Sequence, residues 1–102
     1  MKRKSEDIRA VIFQEGDLWV AQCLDYDIGA QAHDLETVRH RLGVAVEIER
    51  RTSMEVYGTE FDGIDRAPAR FFEMWEKRSL SSGPEMMKKG RKPFALDFAL
   101  CA

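Results

Sequence analysis

A strongly acidic stretch is the feature of this sequence that points most clearly to chemistry with a partner. Between Arg9 and Arg39 there is no Lys or Arg, and the acidic residues there are Glu15, Asp17, Asp25, Asp27, Asp34 and Glu36. Carboxylates on adjoining turns can imitate a phosphate backbone and accelerate association with a basic partner. The alternative is a solvated surface, because Asp and Glu are common in turns and at helix starts.

Two basic runs raise the question of nucleic-acid binding. One opens the chain at residues 2–4 and the other spans residues 88–92. Neither run contains an aromatic residue, nearby acidic residues dilute both, and the sequence pI is about 5.7. Nucleic-acid-binding domains are usually basic, so we expect solubilising charge and no nucleic-acid binding by this chain alone. A DNA-binding regulator that uses these runs is the alternative.

Candidate nucleophiles and metal ligands lack the spacing that their chemistry requires. No serine lies in a Gly-x-Ser-x-Gly context, and Cys23 and Cys101 form no Cys-x-x-Cys or Cys/His pattern. His33 and His40 are seven residues apart, but His33 precedes the expected helix and cannot share its face. The sequence predicts free thiols, no metal, no cofactor and no enzymatic activity.

Length and composition are those of one small globular domain. The chain has 102 residues, of which 44% are hydrophobic and 33% charged, with a formal net charge of −2. Its apolar runs are too short to cross a membrane, and the basic start leads into Ser5, Glu6 and Asp7 where a secretory peptide would be apolar. We expect a cytoplasmic protein with no membrane association.

Alternating and β-branched apolar residues predict four strands. Residues 8–13 and 18–24 flank a polar turn and should form a hairpin, in which Arg9 alone is expected to face solvent. Residues 28–32 could form a third strand at a sheet edge. Residues 94–101 alternate large apolar side chains with smaller ones and should form the final strand.

Helical periodicity appears twice between the third and final strands. Asp34 is a suitable N-cap for a helix that runs to residue 51, and residues 52–66 are expected to form a loop. Pro68 suits position N1 of a second helix over residues 67–79. That helix carries an apolar patch, most of which is expected to belong to the core: Phe71, Phe72, Met74 and Trp75. Since Phe71 and Phe72 point about 100° apart on a helix, one of these two is expected to serve a dimer or partner interface.

The resulting organisation is a single α+β domain. Residues 1–7 form a basic tail, residues 8–51 the sheet and first helix, and residues 80–93 a flexible connection. The order β-β-β-α-α-β predicts a three-stranded antiparallel meander. A right-handed helical crossover should then place the final strand parallel to the first and beside it.

The stretch from Val11 to Glu49 resembles the HicB-like antitoxins of bacterial HicA/HicB toxin-antitoxin pairs. It contains an acidic turn, Glu15-Gly16-Asp17, and a strand with an aromatic-Val-Ala step, Trp19-Val20-Ala21. The polar loop from Cys23 to Ile28 and the helix entry from Gln31 to Glu36 follow in the family's order. Ala32 stands where the family usually has Gly, and Asp34 replaces its usual Thr cap.

This resemblance implies a partial RNase H-like fold and the direct neutralisation of a small basic RNA-cleaving toxin. RNase H enzymes hold two metal ions with carboxylates that begin in the middle of the first strand. The first strand here has Arg9 to Phe13 and no carboxylate, which implies a non-catalytic member. Only one helix follows the expected crossover helix, so the resemblance points to a stand-alone HicB-like domain without an obvious DNA-binding extension.

Three residues are the predicted contacts with such a toxin: Trp19, Asp25 and Asp27. Trp19 belongs to the second strand, and the two carboxylates belong to the loop that follows it. A second hypothesis is a homo-oligomeric structural or regulatory module, in which the acidic face and exposed strand edges meet another copy of the chain.

Overall fold

The computed structural model describes residues 7–77, 80–87 and 94–101. Five strands and two helices follow one another along these residues. Their bounds are β1 Asp7–Glu15, β2 Leu18–Cys23, β3 Gly29–Ala32, α1 Leu35–Tyr57, α2 Ala69–Glu76, β4 Leu80–Met87 and β5 Phe94–Leu100. The predicted α+β class and the order β-β-β-α-α-β are confirmed, with β4 as an additional strand before the final one.

The strands form one mixed sheet in the order β3-β2-β1-β5-β4. β1, β2 and β3 make the predicted antiparallel meander, with Ile12 opposite Ala21 and Ala21 opposite Ala30. β5 lies parallel to β1, with Ala10 opposite Phe98. The prediction that the final strand lies beside the first and runs parallel to it is therefore confirmed.

α1 packs on one face of the sheet and α2 on the other. Side chains alternate between the two faces along β1, so this strand contributes to both cores. Ile8, Ala10 and Ile12 belong to the core that packs under α1, together with Leu42 and Phe98. On the opposite face, buried Val11 packs with Phe71 of α2 in a second, smaller core. The central strand thus has apolar residues on both faces, as expected of a strand that is covered twice.

α1 extends two turns beyond its predicted end, so the expectation of a loop over residues 52–66 is wrong for its first six residues. Ser53 is buried and its Oγ donates to Glu49 O at 2.8 Å, and Arg50 is buried with Glu47. These polar side chains face the protein interior, which an apolar periodicity does not reveal. The helix ends at Gly58, whose φ of 80° is the left-handed conformation that favours glycine.

β4 occupies the first part of the segment predicted to be a flexible connection, residues 80–93. It pairs antiparallel with β5 at the sheet edge and has a register shift between Ser81 and Gly83. Pro84 lies opposite Asp97 within it. Proline is tolerated in an edge strand because one side of that strand has no ladder to complete, and an edge bulge is common. Residues 88–93 lie outside the described residues.

The remaining bounds differ slightly from the predictions. α2 spans Ala69–Glu76, shorter than residues 67–79, and Pro68 is its N-cap residue, not N1. β1 begins at Asp7, which shortens the predicted N-terminal tail; residues 1–6 lie outside the described residues. Within the described ranges, neither helix has the length and apolar character needed to cross a bilayer.

Candidate functional site

The structure places the predicted contact residues at two ends of β2 and on two faces of the sheet. Trp19 is half-buried and packs against the core under α1. Four residues of extended strand, about 13 Å, separate it from Cys23. Asp25 and Asp27 follow the other end of β2, where Asp25 meets Arg9 on the α2 face. Trp19 and the two carboxylates therefore do not form one site.

Asp25 is engaged in an ion pair within the fold. Its Oδ1 accepts from a terminal nitrogen of Arg9 at 2.9 Å. The Arg9 guanidinium also lies 5.5 Å from the ring centre of Phe72 and 5.9 Å from that of Trp75, so α2 covers the pair. Arg9 is thus half-buried, contrary to the expectation that it faces solvent. Asp25 neutralises the Arg9 cation within the fold, so its main role is structural.

Asp27 is exposed and is oriented by a buried side chain. Its Oδ1 accepts from Gln22 Nε2 at 2.9 Å, and the same nitrogen donates to Cys23 O at 3.2 Å. A Cβ on Gly29 would lie 2.7 Å from Gln22 Oε1, so glycine leaves room for this amide. Of the three predicted contact residues, Asp27 is the carboxylate that the fold both presents to solvent and holds in place.

The loop at residues 58–66 packs against the loop that carries Asp27. The Tyr26 and Phe61 rings stack with centroids 4.2 Å apart and planes 15° apart. Asp27 N donates to Asp65 O at 2.7 Å, which joins the two loops through their backbones. Because the two loops are joined in this way, their exposed aspartates lie at the same end of the sheet. We call them the loop-end surface: Asp27, Asp62 and Asp65.

The C-terminal half of α1 fixes the shape of the second loop. Ser53 Oγ accepts from Phe61 N at 2.6 Å, and Arg50 Nη1 donates to Glu60 Oε2 at 3.3 Å. Phe61 has a φ of 63°, a conformation that L residues rarely adopt. Because two buried side chains of a helix hold this loop, the loop-end surface is preorganised.

Four other residues of the acidic stretch lie at the opposite end of the sheet. The β1–β2 hairpin turns at Gly16 and Asp17, and the pairing of Trp19 with Ala32 brings the start of α1 beside that turn. We call this the hairpin end, and its exposed carboxylates are Glu15, Asp17, Asp34 and Glu36. The acidic stretch is therefore divided between two ends of the molecule.

Asp34 has a structural task at the hairpin end. Its side chain accepts from Thr37 N and from Thr37 Oγ1, each at 2.8 Å, which confirms the predicted N-cap. These hydrogen bonds lower the pKa of Asp34 from its ordinary value of 3.8, and they stabilise the carboxylate form. Arg41 of α1 adds a smaller effect in the same direction, so this end also carries exposed cationic charge.

Asp62 and Asp65 were not recognised from the sequence. Their segment has two glycines and several acids, which suggested irregular chain only. The signal that could have identified them is the aromatic Phe61 among the acids, since an aromatic in a polar loop commonly packs onto another element. Both basic runs, which raised the question of nucleic-acid binding, fall on residues 1–6 and 88–93 and lie outside the described residues.

The aromatic residues of α2 are mostly engaged with the rest of the fold. Phe71 is buried, and its ring centre lies 6.2 Å from that of Phe13. Phe72 is half-buried and contacts two guanidinium groups, that of Arg66 at 4.5 Å from its ring centre and that of Arg9 at 5.5 Å. The prediction that one of these aromatic residues serves an interface stays a prediction.

Groups that could support catalysis or metal binding are dispersed. The described part of the chain has no cluster of three or more His, Cys, Asp or Glu side chains arranged to hold a metal ion. Cys23 and Cys101 are free thiols, as predicted. Burial raises the pKa of Cys23, and the nearby charge of Asp25 adds to that effect. Cys23 is therefore a core residue held as a neutral thiol.

Compared with known proteins, the chain matches no family model, no curated protein and no solved structure.

Proposed function

We propose that this chain is a non-enzymatic, HicB-like binding protein that neutralises a small basic RNA-cleaving toxin by direct contact. The loop-end surface is the proposed contact. The observation that carries the proposal is the joining of two loops by the Tyr26–Phe61 stack and the Asp27 N to Asp65 O hydrogen bond. Because the two loops are already joined, their backbone does not have to become ordered when a partner binds the exposed carboxylates.

Preorganised negative charge suits a partner whose natural substrate is RNA. An RNA-cleaving protein must attract phosphates, and fixed carboxylates can occupy the same basic surface in their place. Rim charges of this kind mainly raise the association rate and make it dependent on salt. Because the surface is held by Arg50 and Ser53 of α1, little conformational entropy is lost when it binds.

The loop-end surface is favoured over the hairpin end for a specific reason. At the loop end the nearby Arg9 and Arg50 form ion pairs with Asp25 and with Glu47 and Glu60, so these cations are neutralised inside the fold. At the hairpin end Asp34 caps α1 and exposed Arg41 lies close to it. Each end has an exposed arginine near its carboxylates, Arg66 beside Asp65 at the loop end and Arg41 at the hairpin end. The loop end is favoured because buried Arg50 and Ser53 hold its backbone in place.

Capture from native cells tests the proposal. The full chain is tagged, purified at low and then at high ionic strength, and any small basic protein recovered with it is assayed for cleavage of RNA. We expect a protein that high salt removes, that cleaves RNA alone, and that stops cleaving RNA when the chain is added back. The proposal is contradicted if no such protein is recovered, or if its cleavage of RNA continues in the presence of the chain.

A further inference from the structure

The outward face of α1 carries an apolar residue between opposite charges. Ile48 is 56% exposed, although it is a large apolar side chain in the middle of a long helix. Residues at spacings of three and four lie on the same side of a helix. On this basis α1 presents an outer stripe, which we define by its residues: Arg41, Val44, Ile48, Thr52 and Glu55.

The outer stripe is symmetric in sequence about Ile48. Val44 and Thr52 lie four residues to either side of it, and Arg41 and Glu55 lie seven residues to either side. Val44 is half-buried and the other flanking residues are exposed. A second copy of α1 crossing antiparallel, with the twofold axis at Ile48, would bring each Arg41 opposite Glu55 of the other copy.

We propose that the outer stripe is the contact between two copies of this chain. Charge complementarity selects the antiparallel pair, because a parallel pair would place Arg41 against Arg41 and Glu55 against Glu55. Like charges facing one another across an interface oppose association. In the antiparallel pair the two Ile48 side chains meet at the twofold axis. An Arg41–Glu55 ion pair between the two copies then lies at each end of the contact.

Arg41 can serve this contact while it keeps its role in the fold. One of its terminal nitrogens donates to Gln31 O at 2.8 Å, which anchors the side chain beside β3. A guanidinium has five N–H donors, so others remain for a carboxylate. The outer stripe ends at Glu55, before the loop at residues 58–66 begins, so self-association and the proposed toxin contact use different surfaces.

The expected dimer is reversible. One helix pair buries less than the roughly 800 Å² per partner of a standard stable interface. Exposed ion pairs contribute little free energy, so Arg41 and Glu55 set orientation and the apolar residues supply most of the attraction. Self-association should therefore depend on protein concentration and be sensitive to any charge placed at Ile48.

Sedimentation velocity over a range of concentrations tests the inference with the chain alone. We expect a monomer–dimer equilibrium that Ile48→Asp abolishes. Tyr57→Asp is the matched control, because Tyr57 is also an exposed apolar residue of α1, at 60%, but lies half a turn away from the stripe. The control should dimerise like the unchanged chain, and circular dichroism should show equal helix content in both variants.

Exchange of the charges tests orientation. Arg41→Glu and Glu55→Arg should each weaken the dimer, because each creates a like-charge pair at both ends. The double variant, with Arg41→Glu and Glu55→Arg together, should restore it. The inference is overturned if the chain is monomeric at every concentration, if the dimer survives Ile48→Asp, if Tyr57→Asp dissociates it, or if the double variant dimerises no better than the single ones.

Discussion

Arg9 shows how one side chain ties together several parts of the fold. It lies on the central strand, where its alternation with apolar neighbours predicts a solvent-facing side chain. The structure covers it with α2, and its charge is balanced by Asp25 at 2.9 Å. The sequence could not show this because the partner is sixteen residues away and the covering rings are more distant still. A charged residue on a buried strand is therefore better interpreted as a paired group.

Replacing Asp25 tests the structural role of this pair. Asp25→Asn keeps the size of the side chain but leaves the half-buried guanidinium without its opposite charge. The free energy of unfolding should fall by about 1–3 kcal/mol, as for loss of a hydrogen-bonded charged partner. Urea denaturation measures this change. Asp17→Asn, in the exposed hairpin turn, is the control, and an equal effect of the two substitutions would contradict the assignment.

The Cys23 thiol gives a dependence of stability on pH. Burial raises its pKa in the folded state above the ordinary value of 9.0, so the folded chain keeps the proton that the unfolded chain releases. The stabilisation is fully present below about pH 9 and is lost as the pH rises above it. We expect the free energy of unfolding to fall between pH 9 and pH 10.5. In Cys23→Ala this alkaline fall should be smaller than in the unchanged chain; equal slopes would contradict the prediction.

At the scale of elements, α1 is the feature that the sequence predicted least completely. The local sequence predicts the N-cap at Asp34, and the structure confirms it. Its last two turns depend on buried polar groups, since Ser53 bonds to the helix backbone and to Phe61 N, and Arg50 meets Glu47 and Glu60. These partners become adjacent only after folding, so their sequence pattern resembles that of a polar loop.

The end of α1 gives a prediction about backbone conformation. Gly58 has a φ of 80°, and a Cβ placed there would meet no atom within 4 Å. Gly58→Ala should therefore lower the free energy of unfolding by about 1–2 kcal/mol through conformation alone. Gly58→Asn should lower it less, since Asn tolerates the left-handed region. Thermal unfolding of the two variants measures the difference, and an Ala variant as stable as the Asn variant would contradict it.

β4 illustrates a second limit of local sequence signals. Ser-Ser-Gly-Pro favours a turn, yet this segment forms an edge strand beside β5. Pairing with a neighbour that is already part of the sheet outweighs the local preference, and the edge position accommodates the proline. The meander and the parallel β1–β5 pair were predictable, because hairpin spacing and apolar alternation are local and the crossover rule is general.

At the scale of the whole molecule, folding divides the acidic stretch that dominates the sequence. The hairpin end keeps Glu15, Asp17, Asp34 and Glu36, while Asp27 joins Asp62 and Asp65 at the loop end. The sequence identified Asp27 but not its neighbours, because the two loops are distant along the chain and meet through a ring stack and a backbone hydrogen bond. Charge counts along a sequence therefore did not locate the proposed contact.

The most direct test compares the two ends with substitutions of equal charge change. The affinity of the captured basic protein is measured by calorimetry for the unchanged chain, for Asp62→Lys with Asp65→Lys, and for Asp17→Lys with Glu36→Lys. We expect the loop-end pair to weaken binding by at least about tenfold and to leave RNA cleavage uninhibited, while the hairpin-end pair binds nearly as the unchanged chain does. Equal losses for both pairs, or a loss confined to the hairpin-end pair, would contradict the assignment of toxin binding to the loop-end surface.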